Sequence, residues 1–272
     1  MARLDALFLP FSAGDRFCLL HRPPGPSRAA VLFVHAFAEE MNKCRRMAAL
    51  QARAFASAGF TVLQPDLYGC GDSDGDFADA TWARWIDDVM FASTWLRSET
   101  GDAPILWAVR AGCLLVSEAA RRLDAPVDLL LWQPALAGQQ VLQQMLRLEV
   151  VGQMLEGART ARTGRGYLRE RLAAGENVEI AGYSIGPELA HGLESSKLDL
   201  GTRSRIGWIE VSSDPEPTLT PAARIRLDAL GRGRERVDVR VVHGTPFWQT
   251  QEITECPALI DATLNVVESW LS

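Results

Sequence analysis

The chain has 272 residues, 47% hydrophobic and 23% charged, with a formal net charge of -6. This length and balance fit an ordinary globular α/β protein with a sizeable core. The acidic balance excludes an electrostatic case for nucleic acid, and the Arg-rich stretch Arg159–Arg171 reads as a solvated helix face.

In chain order, Ala6–Pro10 and Arg16–Leu20 read as strands split by the turn Ser12-Ala13-Gly14-Asp15, so an antiparallel edge pair is predicted. Ala30–His35 follows, its run Val31-Leu32-Phe33-Val34 apolar throughout as a central parallel strand requires. Lys43–Ala58 reads as an amphipathic helix stopping at Gly59, and Thr61–Pro65 as a strand. Thr81–Thr94 carries Trp82, Trp85, Val89 and Ala92 at helical spacing. Then come strand Ile105–Ala108, helix Ala111–Leu123 and strand Val127–Trp132.

There the alternation breaks, for longer than a connecting loop needs. Leu142, Met145, Leu146, Leu148 and Met154 suggest helices, Glu179–Ile185 an extended piece broken by a glycine, and Pro187–Leu193 another helix. We read 135–204 as a cap inserted after the sixth strand and lying over the pocket. Strands Arg205–Val211 and Val237–His243 and helix Ala258–Leu271, led by Pro257, close the chain. The expectation is an eight-stranded, mostly parallel sheet with helices on both faces, built from 1–134 and 205–272.

The five cysteines (Cys18, Cys44, Cys70, Cys113 and Cys256) are odd in number and widely spaced without a CxxC, which argues against a disulfide framework or a metal site. The first residues lack a signal-peptide pattern and no run reaches membrane-spanning length, so a cytoplasmic protein without membrane insertion is expected. No GxGxxG, Walker loop or HExxH occurs, and no cofactor is expected.

The strand order, the loop His35-Ala36-Phe37 and the run Asp66-x-x-Gly-x-Gly-Asp72-Ser73 resemble the α/β-hydrolase superfamily. More narrowly, Ala38-Glu39-Glu40-Met41-Asn42-Lys43-Cys44-Arg45-Arg46, Asp66-Leu67-Tyr68-Gly69-Cys70-Gly71-Asp72-Ser73, Leu131-Trp132-Gln133-Pro134, Ala181-Gly182-Tyr183 and Pro246-Phe247-Trp248-Gln249-Thr250 resemble the exosortase A system-associated hydrolase 2 family. The resemblance implies an accessory protein encoded near protein-sorting and exopolysaccharide functions. It attaches no substrate, and fold does not fix chemistry.

In that architecture, Ala108-Val109-Arg110-Ala111-Gly112 occupies the strand-to-helix turn that carries the nucleophile between small residues. Arg110 stands where Ser, Cys or Asp is required, and a permanently protonated guanidinium cannot attack a carbonyl. Asp214 fits the position of a triad acid but also suits a turn before Pro215, and His243 arrives a few residues early for a triad base. An oxyanion hole depends on backbone alone, so the N–H groups of Phe37 and Ala111 remain candidate donors. With Arg110 and a helix N-terminus beside them they could hold a carboxylate, phosphate or sulfate. Alternatively Arg110 is neutralised internally by Glu39, Glu40 or Asp66.

Glu40, in the polar cluster 39–46, is a candidate general base. Cys70, in the Gly-Cys-Gly loop, reads as accessible and is a candidate nucleophile, whereas Cys113 reads as core and Ser73 as loop structure. His35 reads as a structural hydrogen-bonding residue or a base, and His191 as solvent-facing. Trp132, Gln133, Phe247, Trp248 and Gln249 follow strand ends where ligands bind, as a ligand wall or as core. Two functions stay open. One is a hydrolase with displaced machinery, acting on a small anionic ester, thioester or acyl substrate. The other is a non-catalytic member binding an acidic ligand or a partner protein.

Overall fold

The computed structural model describes residues 2–155, 164–201, 205–230 and 236–272. The Arg-rich stretch at 159–171 lies partly outside the described residues, as does the side chain of Met154.

Strands β1 (Arg3–Phe11) and β2 (Gly14–Arg22) form the expected hairpin, with Phe11 opposite Gly14 across the turn. β3 (Ala29–Val34), β4 (Phe60–Pro65), β5 (Ile105–Val109) and β6 (Leu129–Trp132) follow. Next come the short strands β7 (Val178–Ile180) and β8 (Tyr183–Ile185), then β9 (Ile206–Ser212) and β10 (Val237–His243). The main sheet has eight strands in the order β1-β2-β4-β3-β5-β6-β9-β10. From β4 to β10 neighbours are parallel, while β2 pairs antiparallel with β1 and β4.

Helices α1 (Ala38–Ser57) and α8 (Pro257–Leu271) cover one face of the sheet. Met47, Ala52 and Phe55 of α1 and Leu259, Val266 and Val267 of α8 are buried there against Val31, Trp107 and Ile209. Helices α2 (Trp82–Thr100) and α3 (Gly112–Arg122) cover the other face, with Trp85, Val89, Leu114 and Leu115 against Leu32, Leu106 and Leu131. Apolar side chains alternate between the faces of β3 and β5, so both faces are dry and the central strands read as continuous hydrophobic runs. Thr81 caps α2 by accepting from the Arg84 N–H, and Gly101 ends it in a left-handed conformation.

Between β6 and β9 lie α4 (Gly138–Leu155), α5 (Arg165–Ala173), the β7–β8 hairpin and α6 (Pro187–Ser195). The hairpin turns through Ala181 and Gly182, both at positive φ (49° and 81°), as a two-residue primed turn demands. The sequence pattern missed α7 (Pro221–Asp228), a short helix capped by the Thr220 hydroxyl. α1 begins five residues before the predicted Lys43, so the polar cluster is the first turns of a helix rather than a loop.

Candidate functional site

The turn from β5 to α3 places Arg110 at its crest with φ 56°, a conformation unusual for a side-chain-bearing residue. The surroundings fix it. The Arg110 N–H donates to the Trp132 carbonyl (2.9 Å), and its own carbonyl accepts from Cys113 and Ala135. Gly112 is required because a Cβ there would lie 2.5 Å from the His35 carbonyl oxygen and 2.7 Å from that of Val34. The start of α3 therefore sits hard against the end of β3, which brings Ala111 beside Phe37.

The Arg110 guanidinium holds Glu40 through one edge, Nε to both carboxylate oxygens (3.1 and 3.2 Å) and Nη2 to Oε1 (2.9 Å). The pair is partly screened from water, with side-chain exposures of 15% and 29%. The guanidinium carbon also lies 5.5 Å from the Trp248 ring centroid, a cation–π distance. Of the three carboxylates open to Arg110 in the sequence, Glu40 takes it. Glu39 pairs with Lys43 (2.8 Å) and Asp66 with Arg45 (3.1 Å).

Beside this pair opens a cavity of about 410 Å³. It is lined by Phe37, Ala111 and Trp248, by the apolar Val141, Met145 and Leu148 of α4, and by the charged Glu39, Glu40, Lys43, Arg110 and Arg147. Among the described residues nothing accepts from the backbone N–H of Phe37 or Ala111, from Arg110 Nη1, or from Arg147. Among the described residues, three of the four non-glycine positions at positive φ, Ala38, Arg110 and Ala181, line the cavity, and the fourth, Gln133, lines a neighbouring one that also reaches Arg110. Backbone strain concentrated this way marks functional surfaces.

Other candidates lie elsewhere. Cys70 is a correction: it is buried, not accessible, and packs in the core. Burial, then the nearby Asp66 carboxylate, pushes its thiol pKa well up, which opposes a thiolate nucleophile. The Gly71 that flanks it has positive φ and packs against Asp66 and Arg45. Cys113 is buried as expected, and desolvation raises its pKa as well. His35 does not reach the cavity. Its Nδ1 donates to the Ala36 carbonyl (2.7 Å) and its Nε2 accepts from the Leu67 N–H (3.2 Å), which fixes a neutral tautomer, and burial lowers its pKa. Neither ring nitrogen is left for ligand or proton.

Trp132 also belongs to the core, not to a ligand wall. Its indole donates to Thr263 of α8 (2.9 Å), and its ring packs between Trp107 and Phe247. Gln133 spends its side-chain oxygen on the Val211 N–H (2.9 Å), bracing the end of β6 against β9. Of the aromatic-amide cluster, Trp248 and Gln249 reach the cavity while Phe247 is buried. Ser73 bridges the Phe17 N–H and the Asp66 carbonyl, a structural role, and His191 is exposed.

No triad assembles among the described residues. His243 Nδ1 donates to the backbone carbonyl of Asp214 (2.9 Å), not to its carboxylate. The Asp214 carboxylate accepts from the Glu216 N–H (3.0 Å) in a local turn. The sequence put residues 135–204 over the pocket and Lys43 in the polar cluster, but gave no site role to Val141, Gln144, Arg147 or Ile180, which line the cavity. The one signal for them was the apolar spacing of Leu142, Met145 and Leu148, which also fits plain packing.

No protein-family model and no curated protein sequence matches the chain. Among solved structures, it is similar to Est1E of Butyrivibrio proteoclasticus with bound ferulic acid (TM-score 0.66, 13% identity, 97% of this chain and 98% of that one). It is similar also to a highly thermostable carboxyl esterase of Bacillus coagulans in complex with glycerol (TM-score 0.66, 14% identity, 99% of both chains). A third is the alpha/beta hydrolase GrgF of Penicillium sp. sh18 (TM-score 0.62, 14% identity, 99% and 98% covered). At such identities the likeness speaks of architecture alone, and that architecture is the α/β-hydrolase fold.

Proposed function

We propose that this chain is a binding member of the α/β-hydrolase fold that holds an amphipathic acid or acyl compound in the elbow cavity without forming a covalent acyl intermediate. The observation that carries the reading is the Arg110–Glu40 ion pair at the crest where an attacking atom is otherwise mounted. Arg110 cannot act as a nucleophile, and His243 is held by a backbone carbonyl. The amides of Phe37 and Ala111 and the free Nη1 of Arg110 offer donors to a carbonyl or carboxylate oxygen, charge-assisted in the last case. Val141, Met145, Leu148 and Trp248 offer an apolar body beside it, and Arg147 adds a cation to the lining with no carboxylate partner among the described residues. Residues 135–204 serve in this reading as the cap over the ligand. A cytoplasmic accessory role in an export or exopolysaccharide system is consistent with the family resemblance.

The test is a calorimetric titration of octanoate, with turnover of p-nitrophenyl octanoate followed in parallel. Arg110→Ala should weaken octanoate at least tenfold, about 1.4 kcal/mol, because a charge-assisted hydrogen bond is lost. Glu40→Gln should tighten it, since Glu40 competes with the ligand for the guanidinium.

A second reading rests on the two unpartnered amides, an arrangement suited to stabilising an oxyanion. Here Glu40 accepts a proton from a water whose oxygen attacks a carbonyl held by the N–H groups of Phe37 and Ala111; the bond to the leaving oxygen or sulfur then breaks, and Glu40 returns the proton to the departing alcohol or thiol. This reading predicts turnover in the wild type that Glu40→Gln abolishes. Absence of turnover in the wild type, together with tighter octanoate binding by Glu40→Gln, rejects it.

A further inference from the structure

A second cavity, of about 260 Å³, adjoins the elbow cavity. Arg110, Val141 and Gln144 line both, so the two meet at the crest. Their linings differ. The elbow cavity presents Met145, Leu148 and Trp248, whereas the second shows no aromatic ring among the described residues and holds Gln133, Gln140, Gln144 and Glu210. It lies past the carboxyl end of β6 and beside that of β9, the end of a parallel sheet where ligands bind.

The fold holds two of these polar groups in place. Gln133 sits at positive φ (42°), its backbone N–H donates to the Ile209 carbonyl (2.8 Å) and its side-chain oxygen accepts from the Val211 N–H (2.9 Å). The amide is therefore oriented, and among the described residues nothing accepts from its Nε2. Glu210 is 3% exposed, and no cation pairs with it among the described residues. Its Oε1 accepts from Trp208 Nε1 (3.1 Å) and the Thr220 hydroxyl (3.2 Å), its Oε2 from the Thr220 N–H alone (2.8 Å). A carboxylate takes about four hydrogen bonds, so one acceptor direction on Oε2 is left. A buried charge held only by neutral donors is stabilised by a further donor. Gln140 and Gln144, one turn apart on the same face of α4, add donors and acceptors from the exposed side.

We propose that the second cavity takes a neutral, hydroxyl-rich head group the size of one sugar ring, so that the ligand of the elbow site is an acylated sugar or polyol. The inference rests on the elbow reading. The acyl chain lies in the apolar cavity with its carbonyl at the Phe37 and Ala111 amides, and the head lies past Arg110. Glutamine amides both donate to and accept from hydroxyls, and the Glu210 carboxylate accepts from them. An anionic head is repelled by Glu210. An ammonium head accepts nothing, so it leaves the donors of the three amides unmatched. Neutral hydroxyls suit all four side chains.

The test compares calorimetric affinities for octanoate, octanamide, N-octanoylglucosamine and octanoylcholine. N-octanoylglucosamine should bind about tenfold tighter than octanamide, the gain from two hydrogen bonds at the head. Ala222→Trp, at an exposed position that lines the second cavity and not the elbow, should erase that margin and leave octanamide and octanoate unchanged. Gln140→Ala, also exposed and outside the elbow lining, should reduce the margin roughly threefold. The probes separate the two readings. A wild type that binds neither octanoate nor octanamide sinks the elbow reading and this one with it. Three results overturn the head-group assignment alone, each with octanoate and octanamide bound: no margin for N-octanoylglucosamine, a margin that survives Ala222→Trp, or tighter binding of octanoylcholine than of N-octanoylglucosamine.

Discussion

Arg16 and Arg110 each hold a carboxylate through the Nε–Nη2 edge of the guanidinium, and their settings differ. Arg16 and Asp88 are sealed, with side-chain exposures of 0% and 5%. Arg16 gives Nε and Nη2 to Asp88 and Nη1 to the carbonyls of Ala13 and Gly14, and the rings of Tyr68 and Phe11 flank its guanidinium. Asp88 accepts from the Tyr68 N–H as well. Its pKa is raised by desolvation, with Arg16 opposing, so burial outweighs the partner. Here every arm of the guanidinium is used and the pair ties the β1–β2 hairpin to α2 and the loop after β4. Arg110 and Glu40 use the same fork, but Nη1 is left over and the pair faces a cavity. A saturated buried pair is a structural device, and a pair with a spare donor beside an opening is available to a ligand.

The largest effect that could break this contrast is on stability. Arg16→Ala or Asp88→Ala strands a buried charge and should cost about 3–5 kcal/mol in urea unfolding. Arg110→Ala should cost no more than about 1 kcal/mol, because the partly exposed Glu40 regains water. Equal losses would erase the distinction between the two pairs.

Next comes chemistry at the elbow. Arg110→Ser restores a hydroxyl at the crest, yet His243 is committed to the Asp214 carbonyl. Turnover of p-nitrophenyl octanoate should stay at the wild-type level, and a robust gain would show that an imidazole reaches the crest.

The smallest effect is a pH dependence. His35 is buried neutral and its folded pKa lies below the ordinary 6.5, chiefly through desolvation. On acidification the unfolded chain binds that proton first, so stability present above pH 6.5 is lost as pH falls toward the depressed folded value. Urea midpoints should decline over that window, and His35→Gln should flatten the decline. An undiminished slope would assign it to other groups.

Much of the fold was legible because each local signal agreed with the sheet. Val31–Val34 reads as buried strand whatever surrounds it, and the turn before Asp15 fixes the hairpin. Arg110 at the crest was legible for the same reason, since small residues flank it on both sides. The Arg110 partner was not. Glu39, Glu40 and Asp66 are equivalent in sequence, and the start of α1 at Ala38 decides which of them reaches the elbow. Cys70 misled because glycine neighbours suggest exposure, whereas here they let the loop pack tightly around Asp66. Trp132 looked like a pocket residue by its place at a strand end, but its indole points to Thr263. Side-chain direction at a strand end depends on one residue of register, and sequence pattern does not fix that.

The account depends most on what Arg110 does at the crest. The direct measurement is octanoate titration of the wild type, Arg110→Ala and Glu40→Gln at one pH. The account predicts affinity in the order Glu40→Gln, wild type, Arg110→Ala, with at least a tenfold gap between the last two. Equal affinity in all three would contradict it.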